Sequence, residues 1–277
     1  MSSNVNQDTY IVTGATGGIG KALVKELVNR NVARVILACR NTALASQLIA
    51  DYNGADTKLL TIHLDLESFD SVIAFADEVK SRGYMVKALL NNAGTMRGEV
   101  RITSDGYESA TQTNFLSTML LTELLLPTLR DGSAIVFTTS MTRRIAAFHE
   151  NWDVLSKRHH NRFVTYGRSK KMLTAYAALL SDRLRNKGNR VNCSDPWIVD
   201  SGIINMGNRI IDNLSSRLFR PLIYTPAQGA SSAIAAMDSE LTGTIFSLRK
   251  TDAISAKYKT RKVRDIIESA FSAIKPI

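Results

Sequence analysis

The 277-residue chain holds only two cysteines, and Cys39 and Cys193 lie far apart with no CxxC pairing. That count excludes a disulfide-stapled fold and a thiolate zinc site, and reduced thiols fit instead. The four histidines (His63, His149, His159, His160) show no HExxH spacing. His159 and His160 are neighbours that would face different sides of a helix, so no metal site is expected. Aromatic residues, at 7%, are too scarce for a base-stacking nucleic-acid platform. No apolar run reaches the roughly 18 residues that span a bilayer. The opening MSSNVNQD lacks the apolar core of a signal peptide. A soluble, cytoplasmic protein is the expectation. No linker, repeat or low-complexity stretch interrupts the chain, and one domain of this length buries about three quarters of its unfolded surface.

What the chain has in excess is positive charge. Thirty-five Lys and Arg against 25 Asp and Glu give a net charge of +10. Such a surface favours anionic partners, phosphorylated cofactors among them. A generally basic surface with no dedicated macromolecule is the preferred reading, and no nucleic-acid partner is expected.

Thr9 to Leu27 reads as a β-branched strand (Tyr10, Ile11, Val12), a glycine turn and a helix with Ala22, Leu23, Leu27 and Val28 on its apolar face. Gly14 allows a tight turn, Gly18 lets backbone approach a pyrophosphate, and Gly20 lets helix pack close on strand. The helix N-terminus offers free N–H groups to an anion. The spacing TGxxxGxG differs from GxGxxG, and its place between strand and helix is what points to a dinucleotide.

Strands and helices then alternate. Strands are predicted at Arg34–Ala38, Lys58–Ile62, Val86–Leu90, Ser133–Thr139, Asn189–Cys193 and Thr244–Leu248. Helices are predicted at about Thr42–Tyr52, from Ser68, at about Asp105–Leu126, Phe163–Asn186 and Pro226–Met237. This rhythm predicts a doubly wound α/β sheet of about seven parallel strands with helices on both faces. The dinucleotide-binding half would span about 8–132 and the catalytic half about 133–277.

In such sheets ligands sit beyond the carboxyl ends of the strands. Cys39-Arg40 follows the second strand, where an acidic residue would bind the ribose 2′-hydroxyl of NAD. Arg40 instead offers a bidentate partner to a 2′-phosphate, which predicts NADP(H) over NAD(H). Its alternative role is a helix cap or a solvated surface charge. Asp65 can accept from an adenine amine or serve as a plain N-cap. Tyr166 and Lys170 share one helix face at YxxxK, where an ammonium favours the phenolate. A second YxxxK, Tyr258 and Lys262, lies past the last strand. Ser140 ends the fifth strand and can donate to a carbonyl oxygen, with Thr139 and Thr142 as rival donors.

These residues together resemble the short-chain dehydrogenase/reductase family over nearly the whole chain. The resemblance rests on Thr13-Gly14-Ala15-Thr16-Gly17-Gly18-Ile19-Gly20, Asn91-Asn92-Ala93-Gly94, Asn114, Ser140 and Tyr166–Lys170. It implies Tyr166 as general acid/base, Lys170 as its pKa-lowering partner and ribose holder, Ser140 as carbonyl orienter, and Asn114 as the anchor of a relay water. Asp65, Leu66, Asn92, Ala93 and Gly94 would line the adenosine side, and Pro196 and Ser201 the nicotinamide side.

LACRN, the Ser140–Tyr166 spacing and TPAQGA look like the retinol dehydrogenase and carbonyl-reductase-like branch. That implies a hydrophobic aldehyde, ketone or alcohol substrate and a homodimer or homotetramer. Two departures stand out: Pro196-Trp197 replaces the family's Pro-Gly, and Ser201 stands where a threonine is usual. A non-catalytic NADP(H) sensor on the same fold is the alternative. The basic residues Arg143, Arg144, Lys157, Arg158, His159 and His160 read as a solvated face. The basic, amphipathic Lys257–Ile274 is expected to dock on its own domain or a neighbouring subunit.

Overall fold

A computed structural model describes residues 8–148, 161–197, 199 and 224–274. Its strands are β1 (Asp8–Thr13), β2 (Arg34–Cys39), β3 (Lys58–His63), β4 (Met85–Asn91), β5 (Leu129–Thr138), β6 (Arg190–Asp195), β7 (Thr244–Ser247) and β8 (Thr251–Ala253). They form one sheet in the order β3-β2-β1-β4-β5-β6-β7-β8. Every pairing is parallel except the short edge strand β8, which runs antiparallel to β7. The predicted seven parallel strands are thus present. The eighth is only three residues of TDA, too short and polar to carry a sequence signal.

The helices are α1 (Gly18–Asn29), α2 (Thr42–Ala50), α3 (Phe69–Ser81), α4, α5 (Arg162–Leu184), α6 (Pro226–Asp238) and α7 (Arg261–Ile274). Helix α4 is composite: Ser109–Thr111, a π-helical stretch Gln112–Leu116, then Ser117–Leu125. It starts after Asp105, whose carboxylate instead accepts from Phe69 N at 2.8 Å and binds the Gln112 amide at 2.5 Å.

Successive strand residues point to opposite faces, and each face carries its own core. Ile11, Ile36, Leu89 and Ile135 pack with Phe75 of α3, Phe115 of α4 and Tyr176 of α5. Their neighbours Val12, Leu37, Leu90 and Val136 pack on the other side with Leu23 and Leu27 of α1 and Ala233 of α6. Both faces are covered, which is why these strands read as unbroken apolar runs. The apolar stripe of α7 (Val263, Ile266, Ile267, Ala270, Ile274) is buried in the first core, so this helix docks on its own domain. Among the described residues no helix is long and apolar enough to cross a membrane, and no cluster of three metal-ligating side chains occurs.

The chain order reverses between β1 and β4, which send their crossovers to opposite sides. A cleft of about 1290 Å³ opens at that point, along the carboxyl ends of the strands.

Candidate active site

One wall of the cleft is the glycine turn between β1 and α1. Gly14 has φ +64°, and a Cβ there would lie 3.0 Å from Ala93 Cα. At Gly20 a Cβ would lie 2.1 Å from the Gly14 carbonyl oxygen, so no side chain fits. Helix α1 begins at Gly18, after Gly17, with no side-chain cap and no acidic residue in its first turn. Its free N–H groups open onto the cleft, the arrangement that receives a pyrophosphate. Thr16, Gly17, Gly18, Ile19 and Gly20 all line this wall.

The end of β4 is tied to the end of β1. The Asn92 amide donates to Thr13 O at 2.9 Å, and Ala93 N donates to Thr13 Oγ1 at 2.9 Å. Thr13 is therefore buried support for the cleft and not part of its wall. Asn92, Ala93 and Gly94, along with Asp65 and Leu66 after β3, do line it. Thr113 Oγ1, also on the wall, is buried and finds no partner among the described residues. These features fit a dinucleotide.

Neither alternative role for Arg40 and Asp65 as helix caps holds. Asn41 caps α2, its side chain accepting from Leu44 N at 3.0 Å. Ser68 caps α3, and Asp65 accepts from Glu67 N at 2.9 Å. Arg40 stands at the rim with its side chain 59% exposed and Nη1 3.8 Å from Glu67 Oε2. Burial pushes the Glu67 carboxyl up, but the Ser109 hydroxyl, Arg97 and Arg101 outweigh it and hold the group below its ordinary value.

Ser140, Tyr166 and Lys170 line the same cleft. Burial, then the Asp195 carboxylate, drive the pKa of the Tyr166 phenol upward, and the Ser140 hydroxyl only partly opposes them. Ser140 Oγ also accepts from Thr142 Oγ1 at 3.0 Å. Thr139 also lines the cleft, but its hydroxyl is engaged with Thr174 Oγ1 at 2.8 Å in the core. Of the three rival donors, Ser140 is the one against Tyr166.

Lys170 is buried, donates from Nζ to Thr138 O at 2.7 Å, and lies 5.7 Å from the Tyr166 ring centroid. Burial lowers its pKa to about 8, against the pull of Cys193 and Asp195. Asn114 sits in the π-helical turn of α4, fully buried. Its Oδ1 accepts from Thr95 N at 2.8 Å, and its Nδ2 donates to Thr95 O at 2.9 Å and to Ser169 Oγ at 3.0 Å. Asn114 thus fixes the loop after β4 to the helix that carries Tyr166. The second YxxxK is not at the cleft: Tyr258 is buried edge-on against Phe148.

Three features were missed from sequence. Gly167 follows the tyrosine, and a Cβ there would lie 2.6 Å from Thr142 O, so its bareness brings α5 against the turn at Met141–Arg144. Arg143, expected on a solvated face, is instead buried and paired with Asp195 at the end of β6. Glu67 gathers Arg40, Arg97 and Arg101. None of these has a spacing signal, because each contact joins segments far apart in sequence. Pro196 and Trp197 line the cleft. Ser201, Lys157, Arg158, His159 and His160 lie outside the described residues.

The family model of short chain dehydrogenases matches residues 8–209. Human retinol dehydrogenase 12 is 31% identical over 266 residues, covering 92% of this chain and 82% of that protein. Mouse retinol dehydrogenase 14 is 33% identical over 245 residues, covering 82% and 72%. Human polyprenol dehydrogenase is 29% identical over 269 residues, covering 91% and 80%. A solved protein of Mycobacterium paratuberculosis superposes with TM-score 0.74 at 25% identity, covering 97% of this chain and 95% of that one. The fold is also that of a Brucella melitensis short-chain dehydrogenase/reductase of the glucose/ribitol dehydrogenase type, with TM-score 0.69 at 20% identity over 89% and 97%. The chain belongs to the short-chain dehydrogenase/reductase family and is an NAD(P)-dependent oxidoreductase with a Rossmann fold.

Proposed function

We propose that this protein interconverts a hydrophobic carbonyl compound and its alcohol with NADP(H), Tyr166 moving the proton. The observation that carries the reading is that Ser140, Tyr166 and Lys170 share one cleft with the glycine turn. The residues 8–132 supply the cofactor half and 133–277 the catalytic half. When bound, the nicotinamide supplies or accepts hydride.

In reduction, Ser140 donates a hydrogen bond to the substrate oxygen, and Tyr166 gives that oxygen its proton as charge develops on it. In oxidation the same phenol takes the proton back. A neutral phenol suits the acid role, and the upward pull on Tyr166 keeps it protonated at neutral pH. Lys170, with a pKa of about 8, still carries its charge near pH 7 and favours the phenolate left after transfer. Asn114, through Thr95 and Ser169, holds the cleft walls in register.

Preference for NADP(H) rests on Arg40 at the cleft rim, where an acidic side chain would favour NAD(H). The hydrophobic substrate is supported by exposed Met141 and Phe163 on the cleft wall. The retinol and polyprenol dehydrogenases among the relatives, named for isoprenoid alcohols, point the same way. A cytoplasmic, homo-oligomeric enzyme completes the proposal.

The test is loss of NADPH or NADH absorbance with medium- and long-chain aldehydes, retinal and keto-steroids, for wild type and Tyr166→Phe. NADPH oxidation that Tyr166→Phe abolishes is the expected result. Turnover that survives the substitution overturns the mechanism. Tight NADPH binding with no turnover on any substrate favours a sensor.

A further inference from the structure

Glu67, after β3, lines the cleft with its side chain only 10% exposed. Its Oε1 is held by Arg97 Nη2 at 2.7 Å and by the Ser109 hydroxyl at 2.6 Å. Arg97 Nε donates in turn to Ser109 Oγ at 2.9 Å. The other oxygen, Oε2, faces two guanidinium groups from different loops: Arg101 Nη2 at 3.2 Å and Arg40 Nη1 at 3.8 Å. Both of these side chains are more than half exposed, and both line the cleft.

Two properties follow from that geometry. Because both nitrogens lie near one oxygen, at 3.8 and 3.2 Å, they are at most 7.0 Å apart. Neighbouring phosphate oxygens, about 2.5 Å apart and each accepting at about 2.8 Å, bridge such a gap. The set also carries three arginines on one carboxylate, a surplus of two positive charges. A phosphate monoester brings about −1.5 to −2. Arg97 and Ser109 keep Glu67 satisfied, so Arg40 and Arg101 can turn to an anion without stranding a buried charge.

Resting on the NADP(H) reading above, we infer that Arg101, from the loop between β4 and α4, is the second jaw of a clamp that closes with Arg40 on the 2′-phosphate of NADP(H), Glu67 holding both jaws ready. The preference for phosphorylated cofactor is therefore divided between two loops and does not lie with the residue after β2 alone.

The experiment titrates NADPH, NADH, 2′-AMP and 5′-AMP against the purified full chain as wild type, Arg40→Ala, Arg101→Ala and Arg101→Lys, with thermal melts to confirm folding. Wild type should bind NADPH at least about tenfold tighter than NADH. Each alanine variant should lose about tenfold for NADPH and 2′-AMP, the cost of a charge-assisted contact, with NADH shifted less than about twofold. Arg101→Lys keeps the charge but not the fork, and should lower the NADPH/NADH ratio severalfold. It carries the test if Arg101→Ala does not fold. If Arg40→Ala loses the preference while both Arg101 variants keep it, Arg101 is no jaw and the NADP(H) reading stands. If wild type binds NADH as well as NADPH, and 2′-AMP no better than 5′-AMP, the cofactor preference falls and the clamp with it.

Discussion

Arg143 and Asp195 form a buried ion pair across the ends of β5 and β6, with side chains 5% and 6% exposed. Arg143 Nη1 also donates to Ser140 O at 2.6 Å, and Asp195 Oδ1 accepts from Trp197 N at 3.3 Å. The pair thus joins the root of Ser140 to the turn that carries Trp197, and its carboxylate acts on the Tyr166 phenol.

Breaking this pair from one side strands a charge in the interior. Asp195→Ala should destabilise the protein by about 3–5 kcal/mol, whereas the apolar pair Arg143→Met/Asp195→Leu should recover most of that. Denaturant unfolding of the three proteins measures it, and a double variant no better than the single one refutes the account. Losing the carboxylate also removes one force that holds the phenol protonated. The basic limb of the reduction rate should therefore move to lower pH in Asp195→Ala.

Lys170 links stability to pH. Its pKa is about 8 when folded, against 10.5 as an unperturbed amine. Between those values the unfolded chain binds a proton that the native state has released, so native stability rises with pH across that window. Lys170→Met removes the term. Urea unfolding at pH 7.5 and 9.5 should show wild type gaining on Lys170→Met at the higher pH. A difference that does not change with pH would mean that the ammonium is not destabilised by its burial.

The fold was legible because it follows from local rules. Unbroken apolar strands such as RVILA, the glycine turn and the alternation with helices each declare themselves within a dozen residues. That Tyr166, Lys170 and Ser140 share one cleft was legible because Ser140 follows a strand end and Tyr166 and Lys170 lie on the first turns of the crossover helix after it. Arg143 was misread because its burial depends on Asp195, more than fifty residues away, and an arginine in a polar stretch ordinarily faces water. Glu67, Arg97 and Arg101 escaped for the same reason, since their meeting is set by how two loops approach across the sheet. The π-helical turn at Asn114 leaves no mark in a helical hydrophobic pattern.

Gly167 sets how closely Tyr166 approaches Ser140. The nearest atom to an added Cβ is backbone, the Thr142 carbonyl oxygen at 2.6 Å, so either the helix or the turn must shift. Gly167→Ala should cost about 1–3 kcal/mol of stability, as overpacking does. It should also lower kcat by tenfold or more, since a displacement near 1 Å at a catalytic pair has that effect. NADPH affinity should change less than kcat, because the added Cβ meets Thr142 and Ala146 and no residue of the glycine turn. Steady-state kinetics beside cofactor titration separate the two, and an unchanged kcat would show that the contact does not position the tyrosine.

Trp197 occupies a left-handed backbone conformation at φ +61°, one that bulky residues rarely adopt. That conformation costs about 1–2 kcal/mol. Two contacts oppose the cost: Arg249 stacks 4.5 Å above the indole, and Asp195 accepts the backbone N–H. A stacked cation contributes about 0.5–1 kcal/mol at an exposed site. Trp197→Gly relieves the strain, loses the stacking and keeps the N–H, so stability should change by less than about 1 kcal/mol. The cleft wall, however, loses its largest side chain beside Pro196. Rates for a series of ketones of increasing bulk should therefore rise for the larger members relative to wild type, with little change for the smallest. If selectivity stays flat while stability falls by more than about 2 kcal/mol, Trp197 is a packing residue and does not bound the substrate space.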